Sequence, residues 1–157
     1  MRIALYQPDI PQNAGAIFRL AACLGIPVDV IEPCGFVLDD RRLRRVAMDY
    51  GGHAEIVRHA SWNTYSGARA AGRVVLLTTS GAIRFTDFIF EPSDTLLLGR
   101  ESAGVPESVH QAADARLIVP MAPGARSLNV VTAAAMVLGE ALRQTGGYSE
   151  LPEQGET

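Results

Sequence analysis

Three short apolar runs constrain the fold of this chain more than anything else in it. They occupy residues 73–78, with Val74-Val75-Leu76-Leu77 inside, 95–98 and 117–119. A run with no polar face has nothing to offer water, so it fits a strand covered on both sides, as at the centre of a parallel sheet. Gly99 closes the second run and Pro120 the third, and both residues stop a strand from continuing.

The segments between and before these runs fill in the pattern. Residues 2–7 read as a strand broken by Pro8 and Pro11. Over 12–24, Ala14, Ile17, Phe18, Ala21 and Leu24 recur at helical spacing, with Gly25 placed to cap the end. A strand at 28–31 stops before Pro33, and Asp39 and Asp40 start a helix that runs to about Tyr50 and Gly51-Gly52. A weak strand at 55–58, a weak helix at 62–71, a short helix at 106–113 and a long one at 128–144 complete the reading. Strands alternating with helices predict an α/β domain: a mostly parallel sheet with helices on both faces. The chain reads as a single domain over 1–157, with a Gly/Glu/Pro-rich tail from about 146 that frays.

Composition excludes several classes of chemistry. All fourteen basic residues are arginine, so neither a Schiff-base lysine nor a phosphate-loop lysine is available. The net charge of −3 makes any nucleic-acid surface a local patch. No apolar run is long enough to span a membrane, and the N-terminus has no signal-peptide pattern, which points to the cytosol. Cys23 and Cys34 have no His/Cys cluster around them and read as reduced thiols, while His53, His59 and His110 are scattered without metal spacing. No dinucleotide glycine fingerprint follows a strand, and there is no nucleophile elbow.

Ligands of open parallel sheets gather at the C-terminal strand ends, and three segments lie there. The first runs from Pro8 through Asn13 and Gly15 to Arg19. Asn13 is placed to cap a helix, and Arg19, four residues after Gly15, points back toward the loop. The second is Gly99 to Pro106, with Glu101 as a carboxylate in the crevice. In the third, an apolar strand enters a Pro/Gly-rich loop, then Ser127-Leu128-Asn129, then an Ala/Val/Leu helix. Ser127 and Asn129 open that helix, where free N–H groups and a positive dipole end hold ligands. Separately, Arg41, Arg42, Arg44 and Arg45 crowd two helical turns, either as a solvated Asp-capped face or as a phosphate-binding one.

These segments resemble the motifs of the TrmH-like branch of the SPOUT superfamily of RNA methyltransferases. The matching patterns are Pro8-x-Ile10-Pro11-x-Asn13-x-Gly15-x-x-x-Arg19, then Leu98-Gly99-x-Glu101-x-x-Gly104-x-Pro106, then Val119-Pro120 through Ser127-Leu128-Asn129 to Glu140. The short chain, Ile31-Glu32-Pro33-x-Gly35-Phe36 and the run from Asp39 to Arg45 followed by Asp49-Tyr50 are most similar to the TrmL subfamily, which methylates the wobble ribose of leucine tRNAs. Gly139 departs from that pattern, standing where the subfamily is expected to carry an aromatic.

The resemblance implies a C-terminal trefoil knot, a homodimer built through the first and last helices, and S-adenosylmethionine as cofactor, with no metal. It implies that Leu77, Thr78, Gly99, Glu101, Val119, Pro120, Ser127 and Leu128 line the cofactor site. Asn13, Arg19, Glu101, Ser127 and Asn129 would serve catalysis. Arg41, Arg42, Arg44 and Arg45 would contact the anticodon loop of leucine tRNAs, with neither DNA nor membrane as a partner. A guanidinium keeps its charge at neutral pH, so Arg19 is better suited to holding a phosphate and a developing alkoxide than to taking a proton. The alternatives are another tRNA or ribosomal RNA site, a non-catalytic RNA-binding module of the same fold, and a flavodoxin-type nucleotide binder.

Overall fold

A computed structural model describes residues 1–39 and 55–149 of the chain. Among these residues seven strands form one sheet: β1 (Arg2–Tyr6), β2 (Val28–Ile31), β3 (Ile56–His59), β4 (Val74–Leu77), β5 (Ile83–Arg84), β6 (Thr95–Leu98) and β7 (Ala115–Ile118). Their spatial order is β3-β2-β1-β6-β4-β7-β5. Every neighbouring pair is parallel, with Ile3 beside both Val28 and Leu96. Among the described residues four α-helices accompany the sheet: α1 (Pro11–Leu24), α2 (Trp62–Ala68), α3 (Glu107–Ala112) and α4 (Val130–Thr145).

The strand pleat sorts the core into two layers. Ile3, Leu5, Val75, Leu96 and Leu98 point to the face where α1 and α4 bring Ile17, Phe18, Val137 and Leu138. Ala4, Tyr6, Val74, Leu76 and Leu97 point to the opposite face, under Tyr65 of α2 and Val109 of α3. Alternate side chains of a strand point to opposite faces, so an unbroken apolar run feeds both layers at once. Each fully buried aliphatic side chain contributes about 1.5–3 kcal/mol.

Several boundaries differ from expectation for local reasons. The expected strand at 117–119 is Ala115–Ile118, and the weak strand at 55–58 is Ile56–His59. The helix expected over 62–71 stops at Ala68, because the chain turns extended at Arg69. The last helix begins at Val130 rather than 128. Asn13 does not cap α1: Pro11 occupies the first turn, which moves the cap back to Ile10, with no side-chain bond there. Gly25 does adopt the left-handed cap conformation, at φ 65°. At the far end Gly146 caps α4, and the Gly147 N–H donates to the Leu142 carbonyl at 2.9 Å. Asp39 is described, but the rest of the expected helix from Asp40 to Tyr50, its four arginines and His53 lie outside the described residues.

Candidate functional site

The C-terminal ends of β6, β4 and β7 open into one cavity of about 830 Å³. The loops that leave these strands wall it, together with the N-terminus of α4 and the start of α1. Of the residues assigned to the cofactor, Leu77, Thr78, Gly99, Val119, Ser127 and Leu128 all line it, and so does Glu101. Pro120 is exposed and is not among the lining residues. Asn13 and Asn129 also line the cavity. Arg19 does not; it lies on the exposed side of α1, together with the exposed Ala16 and Cys23.

Each loop is fixed by a specific close approach. A Cβ on Gly99 would sit 2.7 Å from the Gly104 carbonyl carbon, so the strand end needs glycine where the 99–104 loop folds back on it. The loop is closed by Arg100 and Gly104, which exchange backbone hydrogen bonds of 2.9 and 2.8 Å. The Thr78 N–H donates to the Leu117 carbonyl at 3.0 Å, tying the exit of β4 to β7.

A chain of hydrogen bonds then joins the three segments. Asn129 caps α4: its Oδ1 accepts from the Val131 N–H at 2.9 Å and the Thr132 N–H at 3.4 Å. Its Nδ2 donates to Asn13 Oδ1 at 3.3 Å. The Asn13 Nδ2 donates in turn to Glu101 Oε1 at 3.1 Å. The Asp9 N–H donates to Glu101 Oε2 at 3.1 Å, and Asp9 Oδ1 accepts from the Glu101 N–H at 3.1 Å. The Ser102 hydroxyl donates to the other Asp9 oxygen. Asp9 titrates at about 2, pulled down first by its hydrogen bonding with Glu101 and then by the Ser102 hydroxyl.

Asn129 therefore opens the helix as expected, whereas Ser127 lies two residues before the cap, in the loop itself. Glu140, the end of the third motif, points elsewhere: its carboxylate takes two bonds of 2.8 Å from Arg143. Sequence reasoning passed over Asp9, Ser102 and Arg100. Asp9 and Glu101 are 92 residues apart, so no local spacing could have paired them. Among the described residues no cluster of three or more metal-capable side chains forms. No helix among them is long and apolar enough to cross a membrane.

Chemically, the cavity combines aliphatic walls, the Asn129-capped start of α4, and one carboxylate held by two donors. Residues 1–139 match the SpoU rRNA Methylase family. The chain belongs to that family. A relative from Ancylobacter novellus, a tRNA (cytidine(34)-2'-O)-methyltransferase, is 54% identical over 151 residues, covering 95% of this chain and 96% of the relative. The Escherichia coli K12 protein of the same name is 38% identical over 148 residues, covering 93% of this chain and 94% of its own. A solved structure concerned with the 2-OH methylation of C/U34 on tRNA has a TM-score of 0.82 at 39% identity, covering 91% of this chain and 94% of its own. The SpoU methyltransferase AviRb from Streptomyces viridochromogenes, solved with AdoMet, has a TM-score of 0.76 at 28% identity, covering 92% of this chain and 60% of its own. The family thus shares the mostly parallel sheet, and its members include AdoMet-binding enzymes.

Proposed function

We propose that this chain is an S-adenosylmethionine-dependent methyltransferase acting on the ribose 2′-hydroxyl of the wobble nucleotide, cytidine or uridine 34, of leucine tRNAs. The observation that carries this reading is the Asn129–Asn13–Glu101 chain at a cavity that could hold a nucleoside cofactor. The cavity suits that cofactor on its own terms. Its walls are Leu77, Leu98, Leu117 and Val119, and Gly99 keeps clear the space a Cβ would fill.

When bound, the cofactor supplies a methyl group already electrophilic on sulfonium, so no metal is called for. The chain's part is to position and to exclude water. Leu77, Thr78, Gly99, Val119, Ser127 and Leu128 form the cofactor side of the site, and Pro120 leads into its loop. Glu101, held by Asn13 and the Asp9 N–H, fixes the loop between cofactor and acceptor. Asn129 keeps the start of α4 in register with that loop. Arg19 serves the acceptor by holding its phosphate and steadying charge on the 2′-oxygen. Its exposed place on α1 suits a substrate seated between two copies of the chain. A homodimer through the outer faces of α1 and α4 accounts for the exposed Ala16, Cys23, Ala135 and Met136 there.

Arg41, Arg42, Arg44 and Arg45 contact the tRNA backbone at the anticodon loop, so affinity falls with salt as counterions are released. An acceptor 2′-hydroxyl makes RNA, not DNA, the substrate. Cytosolic location and the trefoil knot belong to the same reading. Mass spectrometry of wobble nucleosides tests it: deletion of the gene should abolish the 2′-O-methyl mark at position 34 of leucine tRNAs, and purified protein should restore it. An unchanged mark would overturn the proposal. Arg19→Lys should also lose turnover, because the fork geometry goes with the guanidinium.

A further inference from the structure

Among the described residues, Arg2, Arg69, Arg73, Arg100 and Arg116 are the half-buried arginines. Four of them have a short bond to an acceptor. Arg2 donates to Asp29 at 2.8 Å, Arg69 to the Gly72 carbonyl at 2.7 Å, Arg73 to Asp94 at 2.7 Å and Arg116 to the His110 carbonyl at 2.8 Å. Arg100 is the exception. Its one side-chain bond runs from Nη1 to Gln7 Oε1 at 3.5 Å, and its buried Nε has no partner. A cationic donor shut away from water without an acceptor is costly, so such groups are normally satisfied. Arg100 lines the cavity beside Glu101, which suggests that its acceptor arrives with a ligand.

The one bond that Arg100 does make locates its guanidinium. Arg100 follows the end of β6 and reaches Gln7 at the end of the neighbouring strand β1. There Gln7 adopts φ 45°, rare for a residue with a side chain, and its amide also donates weakly to the Glu32 carbonyl at 3.5 Å. Asp9, whose N–H holds Glu101, follows two residues after Gln7, so the Arg100 guanidinium stands beside the segment that carries the Asn13–Glu101 pair. We infer that Arg100 is a substrate-binding residue that turns from Gln7 to grip a phosphodiester oxygen of the RNA next to the acceptor ribose. The inference rests on the proposed methyltransferase reading. The unpaired Nε edge of a guanidinium is the one that, with Nη2, forms a fork to two phosphate oxygens. The bond to Gln7 is too long to hold it strongly at rest.

The test is tRNA binding by Arg100→Met across a salt series, beside calorimetric titration with S-adenosylmethionine. Loss of one phosphate contact should weaken tRNA binding by about tenfold and lower the slope of log K against log salt by roughly one. Cofactor affinity should stay the same. Gln7→Glu gives a second arm that does not remove the arginine: its carboxylate should capture Arg100, compete with the phosphate and weaken tRNA binding likewise. If both variants bind tRNA with wild-type affinity and slope, the assignment is overturned. It is also overturned if Arg100→Met loses S-adenosylmethionine instead, since the acceptor would then be the cofactor's carboxylate. A wild-type protein that binds neither tRNA nor cofactor would overturn the underlying reading itself, a result distinct from the other two.

Discussion

The amide of Asn129 donates to the amide oxygen of Asn13 at 3.3 Å, joining the starts of the first and last helices across 116 residues of chain. Asn13 then passes the linkage to Glu101 at 3.1 Å. An asparagine is suited to this middle position because it carries one acceptor and one donor group, and both are used. Asn13→Ala should leave Glu101 Oε1 and Asn129 Nδ2 without partners together. Misplacement of catalytic groups by about 1 Å is worth on the order of 10²-fold in rate, and a loss of that size is expected in single-turnover methylation. Asn13→Asp should be worse, since it sets a second negative charge against Glu101. Near-normal turnover in Asn13→Ala would remove the linkage from the site's workings.

Asp9 and Glu101 clasp each other through backbone and side chain, and the pH dependence of that clasp can be read out. The Asp9 carboxyl is depressed from 3.8 to about 2 in the folded chain. A depressed acid stabilises the folded state above its unfolded value and loses that contribution as pH falls through the folded one. The difference in melting temperature between wild type and Asp9→Asn should therefore be flat from neutral pH down to about 4. It should shrink toward pH 2 as the wild-type carboxyl takes up its proton. A difference that widens on acidification would mean that the carboxylate is not what holds the loop at 99–104.

What the sequence made legible follows from burial. Thr95–Leu98 was expected residue for residue, because all four positions are buried and the run is bounded by Asp94 and Gly99. Ile83–Arg84 was not foreseen: the edge strand has two residues, both exposed, and so carries no pattern. The cavity could be anticipated because Gly99, Glu101, Ser127 and Asn129 each follow or precede an element end. Its wiring could not be. A local reading makes Asn13 a helix cap, the commonest use of asparagine at such a place. Pro11 starts the helix earlier and frees the amide for Glu101. The Asp9 clasp and the idle Nε of Arg100 depend on loops that meet only once the sheet is ordered β1-β6-β4.

Gly99→Ala is expected to damage cofactor binding and stability together. Its Cβ would meet backbone, the Gly104 carbonyl carbon at 2.7 Å, rather than a side chain able to swing away. Relief requires breaking the paired bonds between Arg100 and Gly104. A destabilisation of about 1–3 kcal/mol is expected for this kind of overpacking. Urea unfolding reads that value, and calorimetry should show S-adenosylmethionine binding lost at the same time. A Gly99→Ala protein that melts normally and binds normally would mean that the 99–104 loop is more pliant than its geometry indicates.

Gly139 should behave in the opposite way. It lies inside α4, where glycine costs about 0.5–1 kcal/mol relative to alanine. The nearest atom to a new Cβ is the Tyr148 hydroxyl at 3.2 Å, the free end of an exposed side chain. That hydroxyl donates to the Gly139 carbonyl at 3.1 Å, folding the chain after Gly146 back along the helix. Gly139→Ala should thus raise the melting temperature, with the helix gain exceeding the small displacement of the phenol. Tyr148→Phe should cost about 0.5 kcal/mol in the wild type, at the low end for an exposed hydrogen bond. It should cost less in Gly139→Ala, where the phenol has already been pushed aside, so the two substitutions should not add. A melting temperature that falls in Gly139→Ala would show instead that the Tyr148 contact matters more than the backbone freedom glycine brings to the helix.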